Sequence, residues 1–209
     1  GPSLLNVRNK EFSMLPTVGC NSAVGRLRLN VWCSAHTDLG DANTCYWMNT
    51  GNHDCIFFMR KFITHDGARS VDMVEKAQQV LTRGTIEKLF WVDGGDSEPD
   101  FFSREPYCYG LNINSPVRYS SGLLAADIAL KLGAREIVLI GFDYAVNDGA
   151  AHWHEDKTNP SYGADKYDAV ADYNRLKSLH LEYFKYYPIP VQYIGPNEEL
   201  KRFHAENNQ

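Results

Sequence analysis

The chain has 209 residues, 44% hydrophobic and 22% charged, which suits a globular protein with a buried core and excludes a disordered, collagenous or coiled-coil chain. Twenty-one Lys and Arg against 26 Asp and Glu give a net charge of −5, which argues against a broad nucleic-acid-binding face. The longest apolar runs fall far short of the ~18 to 20 residues that a membrane helix needs, so no membrane span is expected.

Taken in chain order, residues 17–20, 29–33 and 55–59 are short apolar runs that predict strands, separated by polar loops. The spacing over 71–81 predicts a helix with Ser70 as its cap and Gly84 just past its end. Residues 93–106, rich in Gly, Pro and acids, read as a surface loop or lid. Leu123, Leu124, Ile128 and Leu132 recur at helical spacing before Gly133, predicting a helix over 123–132. Residues 136–141 are a continuous β-branched and apolar run, expected to be a buried central strand of a parallel sheet. A long helix over 165–187 carries Tyr173, Leu176, His180, Tyr183 and Phe184 on one side and is broken by Pro188 and Pro190. Residues 191–194 predict a last strand, 198–204 a final helical turn, and 205–209 a frayed tail. The fold class expected is α/β: a single Rossmann-like domain over 1–204, with a mostly parallel sheet and helices on both faces.

Five cysteines at gaps of ten or more, with no C-x-x-C pair, signal neither a zinc site nor a disulfide framework, and are expected to be reduced and mostly buried. No basic start followed by an apolar stretch argues for secretion, so the expected location is cytoplasmic.

In an open parallel sheet, ligands bind beyond the carboxyl ends of the strands, and five segments fall at such places. Gly1-Pro2-Ser3 fits a phosphate-binding loop, and fits equally the remnant of a cleaved tag. Asn21 could serve a ribose or base, or simply form a turn. Ser121 and Gly122 open the helix that follows them, where exposed N–H groups attract an anion; a plain serine cap is the simpler reading. Asp143 could orient a hydroxyl or cap the next turn, and Tyr144 could donate to a phosphate. His152 and His154, beside Glu155 and Asp156, could supply a general base or bind a metal, or could lie in an ordinary surface loop.

Gly-Pro-Ser-Leu, Gly-Cys-Asn-Ser, Tyr-Ser-Ser-Gly before a helix, Lys-Leu-Gly-Ala-Arg-Glu-Ile-Val-Leu-Ile-Gly-Phe-Asp-Tyr and the histidine loop, in that order, resemble the bacterial sialyltransferase-like superfamily. That group includes motility-associated flagellin glycosyltransferases and the archaeal 6-hydroxymethylpterin diphosphokinase. The match is fullest over 119–203. The resemblance implies a glycosyltransferase that takes a sugar from a nucleotide-activated donor to the hydroxyl of an unspecified acceptor. It implies donor or nucleotide contacts from Ser3, Asn21 and Ser121 and a base at His154 or His152, with His154 favoured for its adjacent carboxylates; Gly122, Asp143 and Tyr144 join the candidate donor site from their places at a helix start and after a strand. No metal or cofactor is implied by this branch. The diphosphokinase branch would instead use ATP with magnesium. A non-catalytic nucleotide-binding module stands as a third reading, and homo-oligomerisation is left open.

Overall fold

The computed structural model describes residues 3–4, 14–20, 23, 27–34, 56–61, 89–93, 108–109, 112–114, 120–145 and 169–208. The chain divides into two compact units, where the sequence reading expects one domain: residues 1–7 with 133–209, and residues 8–132. Both are mixed α/β with parallel strand pairs.

In the unit of residues 8–132, strands β1 (Val18–Cys20), β2 (Val31–Ser34), β3 (Ile56–Lys61), β4 (Leu89–Asp93), β5 (Cys108–Tyr109) and β6 (Asn112–Asn114) form one sheet in the order β1-β2-β3-β4-β6-β5. All neighbours are parallel except β5 and β6, which pair antiparallel at one edge. The first three strands begin and end within two residues of the predicted ones. Strand β4 is an addition: the four apolar residues Leu89 to Val92 sit between Gly84 and the acidic loop, and their strand signal is short. Asp93, expected to open that loop, closes β4 in register with Lys61 and Asn114.

Helix α1 (Ser121–Lys131) begins two residues before the predicted start, because the Ser120 hydroxyl accepts from the Leu123 N–H at 3.3 Å and caps it there. Leu123, Leu124 and Ile128 are buried as their spacing requires, with Ala125 and Ala126. Leu132 is not: it is the C-cap and 54% exposed, since Gly133 at φ 95° turns the chain out of the helix beside it. The core here consists of Val31, Cys33, Leu124, Ala125 and Ile128, with Val18, Cys20 and Ile56 packed on it. Alternation along β1 and β2 puts Val18, Cys20, Val31 and Cys33 on the face that α1 covers, and leaves the buried Trp32 on the other. Gly19 is required by close approach, since a Cβ there would lie 2.7 Å from a Leu29 methyl.

In the other unit, β7 (Ile137–Ile140) pairs parallel with β8 (Val191–Ile194) in a two-stranded sheet, so the expected parallel partner is present but a central position is not shown. Ile137 and Leu139 are buried, while Val138 and Ile140 are half-buried. Helix α2 (Ala169–Tyr186) buries His180, Tyr183 and Phe184. Helix α3 (Glu198–Asn207) buries Leu200 and His204 and packs on β8. It runs three residues past the predicted end, into the stretch expected to fray. The reason is Asn208, whose side-chain amide donates to the Val191 carbonyl and accepts from the Val191 N–H, both at 2.8 Å. It thereby satisfies a buried strand end as a neighbouring strand would. The predicted helix over 71–81 lies outside the described residues, as do residues 94–106 of the acidic loop and residues 165–168 of the predicted helix over 165–187.

Candidate functional site

The carboxyl end of β7 carries the densest polar geometry. Gly141 at φ 82° ends the strand, and three residues on Tyr144 holds φ 47°, a backbone region that non-glycine residues rarely adopt. Between them Asp143 is buried, 1% exposed, and its carboxylate accepts twice from one residue far back in the chain. The Ser3 N–H donates to Oδ2 at 2.6 Å and the Ser3 hydroxyl to Oδ1 at 2.5 Å. Leu4, next to Ser3, is buried, so this segment is held into its unit by packing as well as by the clasp. The Asp143 carbonyl accepts from Asn197 Nδ2 at 3.2 Å, and Asn197 Oδ1 in turn caps α3 at the Leu200 N–H.

The clasp joins two residues that the sequence reading singles out for different roles, and it occupies the Ser3 N–H that a phosphate-binding loop would offer. Asp143 orients a hydroxyl, that of Ser3. Ser3 meets Asp143 through both of its donors, so its hydroxyl oxygen faces any further partner as an acceptor. The acidic pair Glu198 and Glu199 in the first turn of α3 complements the positive helix end, which makes that end a poor place for a phosphate.

The Tyr144 hydroxyl lies 3.2 Å from His180 Nδ1, and His180 Nε2 lies 2.8 Å from His204 Nε2. Two imidazole nitrogens that close must share a single proton, so the pair cannot be doubly charged. Burial agrees with this. The rings are 0% and 3% exposed, and desolvation pushes His180 down to about 3, helped by the nearby His204, and His204 down to about 4. Two proton arrangements satisfy the chain. In one, Tyr144 donates to His180 and His180 donates to His204. In the other every bond is reversed. Phe142, Phe184 and Phe203 pack edge-on or tilted around the two imidazoles. Sequence reasoning put His180 on the aromatic side of its helix but gave neither histidine a role. His204 stands four residues after Leu200 on α3, which signals burial; the meeting of two helices through their histidines has no local signal.

In the unit of residues 8–132, Ser121 opens α1 and is buried, with Gly122 half-buried beside it. The helix cap proves to be Ser120, which leaves Ser121 at the first helical position. Cys33, near the carboxyl end of β2, donates its thiol to the Ser121 carbonyl at 3.6 Å. The first turn of α1 therefore meets the carboxyl ends of β1 and β2, the side of a parallel sheet where ligands bind. Asn21, His152 and His154 lie outside the described residues. Among the described residues no group of three or more His, Cys, Asp or Glu is arranged to hold a metal ion. No helix among them is long and apolar enough to cross a membrane.

Comparison of the chain with protein-family models, with curated proteins and with solved structures gives no match. The functional reading therefore rests on the residues and their geometry.

Proposed function

We propose that the chain is a glycosyltransferase-like enzyme that moves a sugar from a nucleotide-activated donor to an acceptor hydroxyl by general-base catalysis. The observation that carries this reading is the clasp of Ser3 by Asp143 at the end of β7. Both residues are assigned to the donor site by sequence reasoning, one from the phosphate-loop motif and one from its place after a strand, and they lie 140 positions apart. The approach of α1's first turn to the ends of β1 and β2 supports the same reading for Ser121 and Gly122. The parallel pairing in both sheets supports a Rossmann-like architecture, and the free thiols of Cys20 and Cys33 suit a cytoplasmic setting.

In this mechanism His154, or else His152, removes the proton of the acceptor hydroxyl as it attacks the sugar. The N–H groups at the start of α1 stabilise the departing nucleotide phosphate. Ser3, its proton held by Asp143, accepts from a donor hydroxyl.

Thermal shifts with nucleotides, nucleotide sugars, and ATP with and without magnesium test the ligand, since only a compound favouring the native state raises the midpoint. A nucleotide sugar should do so. His154→Ala or His152→Ala should then lower turnover by about 10² to 10⁴-fold while donor affinity stays nearly intact. A shift with magnesium and ATP alone would replace this reading with the diphosphokinase one. A nucleotide-sugar shift with no transfer product would leave a binding module.

A further inference from the structure

Cys20 and Cys33 are register partners on the parallel strands β1 and β2, and both are free thiols. Both stand on the face that α1 covers, in the cluster of Val31, Leu124, Ala125 and Ile128. Directly paired residues on neighbouring strands lie about 4.7 to 4.9 Å apart, inside the range of about 4.4 to 6.8 Å that a disulfide spans between Cα atoms. Burial is the main cause that pushes the Cys33 thiol well above its ordinary value, and the neighbouring Cys20 is the next. Cys33 is fully buried with its proton on the Ser121 carbonyl, whereas Cys20 is half-buried, the more exposed residue of the two.

We propose that Cys20 and Cys33 are a redox-modification site, a dithiol that a small hydroperoxide converts to a cross-strand disulfide at the carboxyl edge of the sheet. Cys20 sulfur attacks one peroxide oxygen, the O–O bond breaks, and the other oxygen leaves as water with the thiol proton, giving a sulfenic acid. Cys33 sulfur then attacks Cys20 sulfur, the S–O bond breaks, and a second water leaves with the Cys33 proton. Two thiols lose two electrons and hydrogen peroxide becomes two waters. Burial pushes Cys20 up to about 11, so the first step is slow and the pair ignores a brief pulse of oxidant. The second step is intramolecular, its partner already in register, and it too waits on the buried Cys33 thiol to give up its proton. The disulfide removes the hydrogen bond from Cys33 to the Ser121 carbonyl, so the first turn of α1 registers the change. This inference is independent of the glycosyl-transfer reading.

The test uses the full reduced chain, exposed to hydrogen peroxide, quenched with an alkylating reagent and digested without reductant for mass spectrometry. The expected product is a peptide pair joined through Cys20 and Cys33, two hydrogens lighter than its thiol form and restored by dithiothreitol. Its thermal midpoint should lie above that of the reduced chain, because the bond restricts the unfolded state. Cys33→Ser should stop at a Cys20 sulfenic acid that dimedone traps. Recovery of both cysteines as alkylated thiols would overturn the proposal. So would dominant links to Cys45, Cys55 or Cys108, or the same mixture of links in native buffer and in urea.

Discussion

The two units bury different kinds of interior. Around α1 the apolar core is Val31, Cys33, Leu124, Ala125 and Ile128, and the buried Asp127 is paired with Lys131 one turn further along the same helix. Around α2 and α3 the interior holds Asp143, His180 and His204, each nearly free of solvent and each held by named hydrogen bonds. Apolar contacts are non-directional and tolerate small shifts. A buried histidine pair or a clasped carboxylate tolerates almost none, because any lost partner leaves a desolvated polar group. The first interior is a packing solution; the second fixes a geometry, and that geometry includes a tyrosine in left-handed backbone and a hydroxyl oriented by a carboxylate.

The largest effects should come from breaking the apolar interior. Leu124→Ala or Ile128→Ala removes a fully buried side chain and should cost about 2 to 5 kcal/mol, measured by denaturant unfolding. That cost should be the same at pH 7.5 and pH 5.5, since what is lost is apolar packing.

Acidification should do the opposite and single out the polar interior. His180 and His204 are held neutral, with folded values of about 3 and about 4, below the ordinary histidine value of about 6.5 in the unfolded chain. The unfolded state therefore binds more protons at any pH between these limits. Stability is complete above about 6.5 and is lost as pH falls toward the folded values, by about 2 kcal/mol per histidine at pH 5. Unfolding curves at pH 7.5, 6 and 5 should show this slope, and the double variant His180→Phe with His204→Phe should flatten it. A wild-type chain as stable at pH 5 as at pH 7.5 would refute the neutral pair.

A smaller effect tests the clasp. Ser3→Ala and Asp143→Ala should couple in a double-mutant cycle by about 1.5 to 3 kcal/mol, the range of hydrogen bonds to a charged acceptor. Additive losses would mean that the Ser3 hydroxyl adds nothing to the bond from its backbone N–H, which Ser3→Ala keeps.

The legible parts of this chain are those that depend on local periodicity. β7 and β8 follow from runs of apolar residues ended by glycine or proline, and α1 from Leu123, Leu124 and Ile128 before Gly133. Helix α2 ends where Pro188 and Pro190 require. Illegible parts depend on pairs distant in sequence. β5 and β6 have two and three residues; β6 acquires its strand character from β4, and β5 from β6. Ser3 and Asp143 were each singled out, but nothing in either segment announces that they bond to each other. His180 and His204 belong to separate helices, and only the fold joins them. Ser120 rather than Ser121 as the cap is a matter of one residue in a run of two serines, which a pattern cannot resolve and a hydrogen bond does.

The smallest predicted effect concerns the end of α3. Asn208 holds both backbone groups of Val191, a residue 2% exposed that begins β8. Asn208→Ala leaves a buried N–H and a buried carbonyl without these partners, and should cost about 1 to 2 kcal/mol. The loss should be local, seen as faster amide exchange at Val191 and in the last turn of α3, with α1 unchanged. Asn208→Asp separates the two bonds. Its carboxylate still accepts from the Val191 N–H but offers no donor to the carbonyl, so Val191 exchange should stay slow while part of the stability is lost. Equal exchange at Val191 in both variants would show that the acceptor bond contributes nothing. The strand end would then be held by the pairing of β8 with β7 alone.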